Sequence, residues 1–167
     1  MKSKNWTFGV VLYGLLLFLS GCGDCCSHDH SNLRGHDHKK KGLVVVNVLD
    51  NDLYADCHIK DSINIPFEMI ETSADTIDKN AQVVFYCSDY QCSSSEWAAK
   101  KFKEKGFREV YVYEGGMAEW YQKGLPTEGP HEKSYLRKTV KQVVSDEQSE
   151  IPLISCENLA TKMNVAA

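Results

Sequence analysis

Gln82-Val83-Val84-Phe85-Tyr86-Cys87-Ser88-Asp89-Tyr90-Gln91-Cys92-Ser93-Ser94-Ser95 (QVVFYCSDYQCSSS) carries the pattern around which the rest of the chain organises. Four residues of apolar, strand-forming type, Val83–Tyr86, lead straight into a cysteine, and a long polar, serine-rich stretch follows. Helical periodicity then runs from about Ser95 to Lys105, and it points Trp97, Ala98, Ala99 and Phe102 inward. Gly106 stands where a left-handed residue would end that helix. A further strand-like run, Glu109–Tyr113 (EVYVY), comes next, and upstream lies Leu43–Leu49 (LVVVNVL). Runs this rich in β-branched residues suit strands buried on both faces. A strand, helix and strand of these lengths imply a right-handed crossover in a parallel sheet. The class expected is α/β, one domain in three α/β/α layers around a central parallel sheet. Gly115-Gly116 gives a tight turn into a short helix carrying Met117 and Trp120, which Gly124 and Pro126 close.

This arrangement sets Cys87 at the C-terminal end of a central strand, just before a helix N-terminus, where open α/β sheets place their sites. Backbone N–H groups of Ser88, Asp89, Tyr90, Gln91, Ser93, Ser94 and Ser95 would surround whatever the sulfur carries. Together with the helix dipole they lower a thiol pKa and favour an anion. The competing reading is an inert core cysteine. The length and polarity of the following loop argue against it.

The same residues resemble the rhodanese family, over Leu43 to about Glu128. The resemblance rests on Tyr54, His58, Ile59 and Ile63-Asn64-Ile65-Pro66 in the first third. It continues with Tyr86-Cys87 through Ala98-Ala99, and ends with Glu114-Gly115-Gly116, Trp120, Gly124 and Pro126. It implies a three-layer rhodanese-like fold and a cysteine that takes sulfur from a donor such as thiosulfate, becomes a persulfide, and passes the sulfur to cyanide or a thiol. It implies no cofactor, and a small sulfur donor or thiol acceptor as partner. The chain departs from the family at Asn47, Leu49 and Cys57, where Asp, Arg and Gly are usual. Its loop is about two residues longer, with Asp89 and no cation. Weak thiosulfate activity is therefore expected, with a larger or thiol-bearing substrate. The longer loop resembles that of related phosphatases, but it has no arginine to clamp a phosphate. Cys92, five positions after Cys87, has two readings: a resolving thiol that forms a disulfide with Cys87, or a small residue without a role. The leading function is sulfur handling through a Cys87 persulfide. The alternative is a non-catalytic or redox-sensing module that uses the thiol pair or binds a partner or metal. His58 reads as a turn residue rather than a general base.

The flanks speak to location. Lys2 and Lys4 precede the apolar run Trp6–Leu19, too short for a spanning helix of about 20 residues but suited to a signal peptide. Leu19-Ser20-Gly21-Cys22 resembles a bacterial lipobox, which makes residues 1–21 a leader and Cys22 the lipidated residue. An uncleaved anchor or an ordinary signal peptide is the other reading. Lipidation would hold the protein on the extracytoplasmic side of a bacterial membrane. Gly23 in place of Asp leaves an outer-membrane address open. Residues 22–42 contain almost no aliphatic residues and read as a flexible tether. Its Cys25, Cys26, His28, His30, His36 and His38 are zinc or copper ligand types, at spacings of no defined motif, so weak metal binding and a merely solvated linker both stand. The domain then occupies residues 43–130.

In the tail, residues 131–167, Ile151–Met163 (IPLISCENLATKM) resembles the opening strand and helix of a rhodanese domain, an element missing before Leu43. Either the tail docks as a permuted edge strand and helix, or it is the remnant of a second domain. Seven cysteines in 167 residues fit an oxidising compartment, and a net charge of −4 makes nucleic acid an unsuitable partner.

Overall fold

The computed structural model describes residues 42–139, 141 and 150–165. The leader and tether, with Cys22, His28, His30, His36 and His38, lie outside these residues.

Strand β1 (Leu43–Asn47) starts the domain. It is two residues shorter than the apolar run, because the Asn47 side chain accepts from Leu49 N at 2.8 Å and turns the chain. Asp50 then caps helix α1 (Asn51–Asp56), its carboxylate accepting from Leu53 N at 2.8 Å. Two short strands follow, β2 (His58–Ile59) and β3 (Ile63–Asn64), and then helix α2 (Ile70–Ser73) between single 3₁₀ turns. The central strand is β4 (Gln82–Tyr86), followed by α3 (Ser94–Glu104), β5 (Glu109–Tyr113), α4 (Gly116–Gln122) and β6 (Thr127–Glu128). Helix α5 (Cys156–Met163) closes the described chain.

The main sheet has the order β3-β1-β4-β5 and its ladders are parallel. Alternation along β4 divides the core. Val83 and Phe85 face a layer built by α2 and α3, with Ile70, Ala98, Ala99 and Phe102. Val84 and Tyr86 face the layer of α4 and α5, with Met117, Trp120, Leu136 and Leu159. Three layers, α/β/α, result, as the strand patterning implies.

Helix α3 corrects one expectation. Its buried residues are Ser95, Ala98, Ala99 and Phe102, a stripe at i, i+3, i+4 and i+7. Trp97 falls two positions from the start of that stripe, some 200° round the helix. It is 37% exposed, with its ring 4.7 Å from that of Phe67 and the Lys101 ammonium 5.2 Å away.

Residues 152–154 run parallel beside β5. Val112 N donates to Pro152 O at 3.1 Å, and Ile154 N donates to Val112 O at 2.9 Å. These bonds cover an edge that would otherwise carry unpaired backbone groups. Ile151, Ile154, Cys156, Leu159 and Ala160 are buried here. The chain beyond β6 is also fastened to α1: the Asp56 carboxylate accepts from Glu132 N at 2.9 Å and from Lys133 N at 3.1 Å.

Candidate active site

Cys87 follows β4 directly, at the C-terminal end of the central strand. Period-two alternation sends its side chain to the α3 side of the sheet with Val83 and Phe85, and it is 2% exposed. Its sulfur is bonded to that of Cys92, across a Cα–Cα separation of 6.1 Å. Cys87 therefore stands oxidised, in a disulfide closed within one loop.

Asp89 shapes that loop. Its main-chain carbonyl accepts from Cys92 N at 3.1 Å, a four-residue turn. Its carboxylate accepts from Gln91 N at 2.9 Å, so the side chain reinforces the same turn. Two loop N–H groups are thus engaged by Asp89 itself, and the loop is folded inward rather than spread around an anion. Ser88, Tyr90 and Ser94 are half-buried, Gln91 and Ser93 exposed, and Ser95 buried in the first turn of α3.

The other face of the loop rests on α4. Met117 N donates to Cys87 O and Ala118 N to Ser88 O, both at 2.9 Å. This contact needs Gly116, whose φ is +61°. A Cβ there would lie 2.7 Å from Cys87 O, Ser88 C and Asp89 N. The Gly115-Gly116 pair signals a turn in sequence, and only the fold brings it against the cysteine loop.

The source of the positive charge in the adjoining cleft is likewise set by the fold. A cleft of about 130 Å³ beside the loop is lined by Asp89, Tyr90, Gln91, Ala118, Tyr135, Lys138, Thr139 and Lys141. Gln122 Nε2 donates to Leu136 O at 2.9 Å and to Lys138 O at 2.6 Å, which pins this part of the tail against α4. A loop without a cation of its own is therefore bordered by two lysines from more than forty residues downstream.

A second cleft, of about 320 Å³, lies between α4 and α5, walled by Tyr90, Tyr113, Glu114, Glu119, Lys123 and Cys156 among others. Tyr113 donates to Glu119 at 2.9 Å, and Lys123 bridges Glu119 and Glu157. Burial raises the Cys156 thiol, against the opposing pull of Tyr113 and Lys123. Burial first, then the charge of Glu119, pushes Tyr90 up to about 12. Cys57 is also a free thiol, pushed up to about 11 by burial and then by Asp56. Both of these thiols are poor nucleophiles at neutral pH. His58 is held as a turn residue, Nδ1 2.8 Å from Tyr54 O and the ring stacked on Tyr54. Among the described residues no three His, Cys, Asp or Glu side chains converge as a metal site, and no helix is long and apolar enough to cross a membrane.

Fold and site together define an α/β domain with a cysteine at a strand end, in a loop leading into a helix. Residues 31–123, over half of the chain, match the rhodanese-like domain, and the chain belongs to that family. It is 33% identical over 82 residues to the thiosulfate sulfurtransferase GlpE of Coxiella burnetii, spanning 49% of this chain and 75% of that protein. GlpE of Pseudomonas fluorescens matches at the same identity over 82 residues, 73% of its length. Among solved structures, the BH2092 protein of Bacillus halodurans superposes with a TM-score of 0.51 at 32% identity, over 55% of this chain and 67% of that one.

Proposed function

We propose that this protein handles sulfane sulfur through a persulfide on Cys87. The position of Cys87 carries the reading: it is the one cysteine of the domain at the C-terminal end of the central strand, at the head of the loop into α3. The similarity to GlpE sulfurtransferases supports it. With the disulfide reduced, the Cys87 thiolate attacks the outer sulfur of the donor. The donor's S–S bond breaks, its remainder leaves with the electron pair (sulfite, when the donor is thiosulfate), and Cys87 holds the transferred sulfur. An acceptor thiol or cyanide then takes that sulfur and restores the thiolate.

Charge at the loop sets donor preference. The loop holds Asp89 and none of the Arg or Lys usual in the family, so a compact dianion such as thiosulfate is a poor donor and a persulfide on a larger thiol a better one. Lys138 and Lys141, at the rim, supply the attraction that remains. The leader and Cys22 complete the reading as a lipid-anchored protein of the bacterial envelope, whose tether has weak zinc or copper affinity at most. Incorporation of labelled fatty acid into the wild type and not into Cys22→Ser tests the anchor. Saturation kinetics with thiosulfate and with glutathione persulfide test the substrate order. Equal or better kcat/KM for thiosulfate would reverse it.

The Cys87–Cys92 disulfide favours a second reading, a redox-sensing module without turnover. On that reading the reduced protein forms the disulfide with oxidants and never carries sulfur.

A further inference from the structure

Three departures of this loop from its family act together: two extra residues, an aspartate with no cation beside it in the loop, and Cys92. The aspartate builds the turn, since its carbonyl and carboxylate hold Cys92 N and Gln91 N. The extra length gives that turn room to fold back. Cys92, at the end of the turn, then meets Cys87, whose own carbonyl is pinned by Met117 N. An arrangement of this kind delivers a second thiol to the reacting sulfur.

We infer that Cys92 resolves the Cys87 persulfide within the loop, so that the sulfur leaves as hydrosulfide and the protein is left as the Cys87–Cys92 disulfide. The inference rests on the persulfide reading above and names its acceptor. In the step, the Cys92 thiolate attacks the inner sulfur, Cys87 Sγ. The Sγ–Sγ bond forms, the bond from Cys87 Sγ to the outer sulfur breaks, and that sulfur departs with the electron pair and takes a proton from water. The sulfane sulfur is reduced by two electrons and the two cysteine sulfurs supply one each. A dithiol reductant, such as dithiothreitol or a dithiol protein, then reopens the disulfide by exchange. Because Cys92 is tethered five residues away, its effective concentration is of order millimolar or above, ahead of a dilute external thiol. The activity is then reduction of sulfane sulfur to hydrosulfide, coupled to a dithiol, rather than transfer to a small acceptor.

The tryptic peptide of residues 80–100 contains Cys87 and Cys92 and no other cysteine, so it reports the loop alone in the full chain. Reduced wild type and Cys92→Ser are each mixed with inorganic polysulfide without added thiol, and the peptide is weighed. Cys92→Ser is expected to gain about 32 Da, one persulfide sulfur, and to keep it until dithiothreitol is added. Wild type is expected to pass through that adduct and end about 2 Da below the dithiol, as the disulfide, with one hydrosulfide released per chain above the Cys87→Ser background. Cys92→Ala repeats the test without a hydroxyl in the loop. Asp89→Ala is expected to close the disulfide about tenfold more slowly once the persulfide has formed, as loss of one ordering hydrogen bond predicts. A wild type that holds the added sulfur as stably as Cys92→Ser overturns the inference while leaving the persulfide reading intact. Absence of the adduct from both Cys92 variants overturns both.

Discussion

Adjacent glycines with opposite constraints offer a direct test of how the cysteine loop is held. At Gly116 the backbone is left-handed, φ +61°, and an added Cβ meets three backbone atoms of residues 87–89 at 2.7 Å. At Gly115 φ is ordinary and the atoms nearest an added Cβ belong to the Glu119 side chain, whose carboxyl end can swing aside. The left-handed conformation costs an alanine about 1–2 kcal/mol. Pressing a methyl into main chain that cannot retreat costs about 1–3 kcal/mol more. Gly116→Ala should therefore lose about 2–5 kcal/mol. At about 4 °C per kcal/mol for a domain of this size, that is a fall in Tm of about 8–20 °C. Gly115→Ala forfeits at most the bonds from Tyr113 and Lys123 to Glu119, about 1–2 kcal/mol, and regains part of it from reduced chain entropy.

The assay is thermal unfolding followed by circular dichroism, together with the rate at which dithiothreitol opens the Cys87–Cys92 bond at 25 °C. Gly116→Ala pushes the chain at residues 87–89 away from Met117 N and Ala118 N, so its disulfide should also open faster. Equal stabilities for the two alanine variants, or a Gly116→Ala protein within about 1 kcal/mol of wild type, would refute the claim that α4 abuts the loop backbone.

Leu159, fully buried in α5, gives Leu159→Ala an expected cost of about 2–5 kcal/mol, read as a Tm shift of the whole domain. An unchanged Tm would mean that residues 150–165 are dispensable, against the expectation that the tail docks as a permuted edge element. The raised Cys57 thiol binds its proton more tightly folded than unfolded, so its contribution to stability declines as pH rises from about 9 and is lost near 11. Iodoacetamide at pH 8 should spare Cys57 in the native protein and label it in urea, and rapid native labelling would contradict its burial. Replacing Lys138 and Lys141 together by Ala should raise KM for thiosulfate several-fold with little change in kcat, as loss of charge at the rim predicts. A change confined to kcat would place these lysines in another role.

Much of the fold is written locally. The β-branched runs, the position of Cys87 and the left-handed Gly106 at the end of α3 depend on neighbours in sequence, and they reappear as β1, β4, β5 and the α3 cap. Trp97 was misread because a large apolar residue next to an apolar stripe cannot be assigned a side without the stripe's phase, which buried Ser95 sets. The surroundings of the site were less legible for a different reason. Gly116 and Lys138 reach the loop across the fold, through hydrogen bonds from Met117, Ala118 and Gln122 that no local pattern encodes. Asp89 was visible as a negative charge, but its part as a turn-builder emerges only with Gln91 N and Cys92 N in place.

The central claim is that Cys87 carries sulfane sulfur, and cold cyanolysis tests it most directly, since cyanide converts a protein persulfide to thiocyanate and leaves a thiol. Cys92→Ser, loaded with polysulfide and freed of excess donor, should yield one thiocyanate per chain beyond that of the Cys87→Ser/Cys92→Ser double variant. Equal yields from the two proteins would contradict the account.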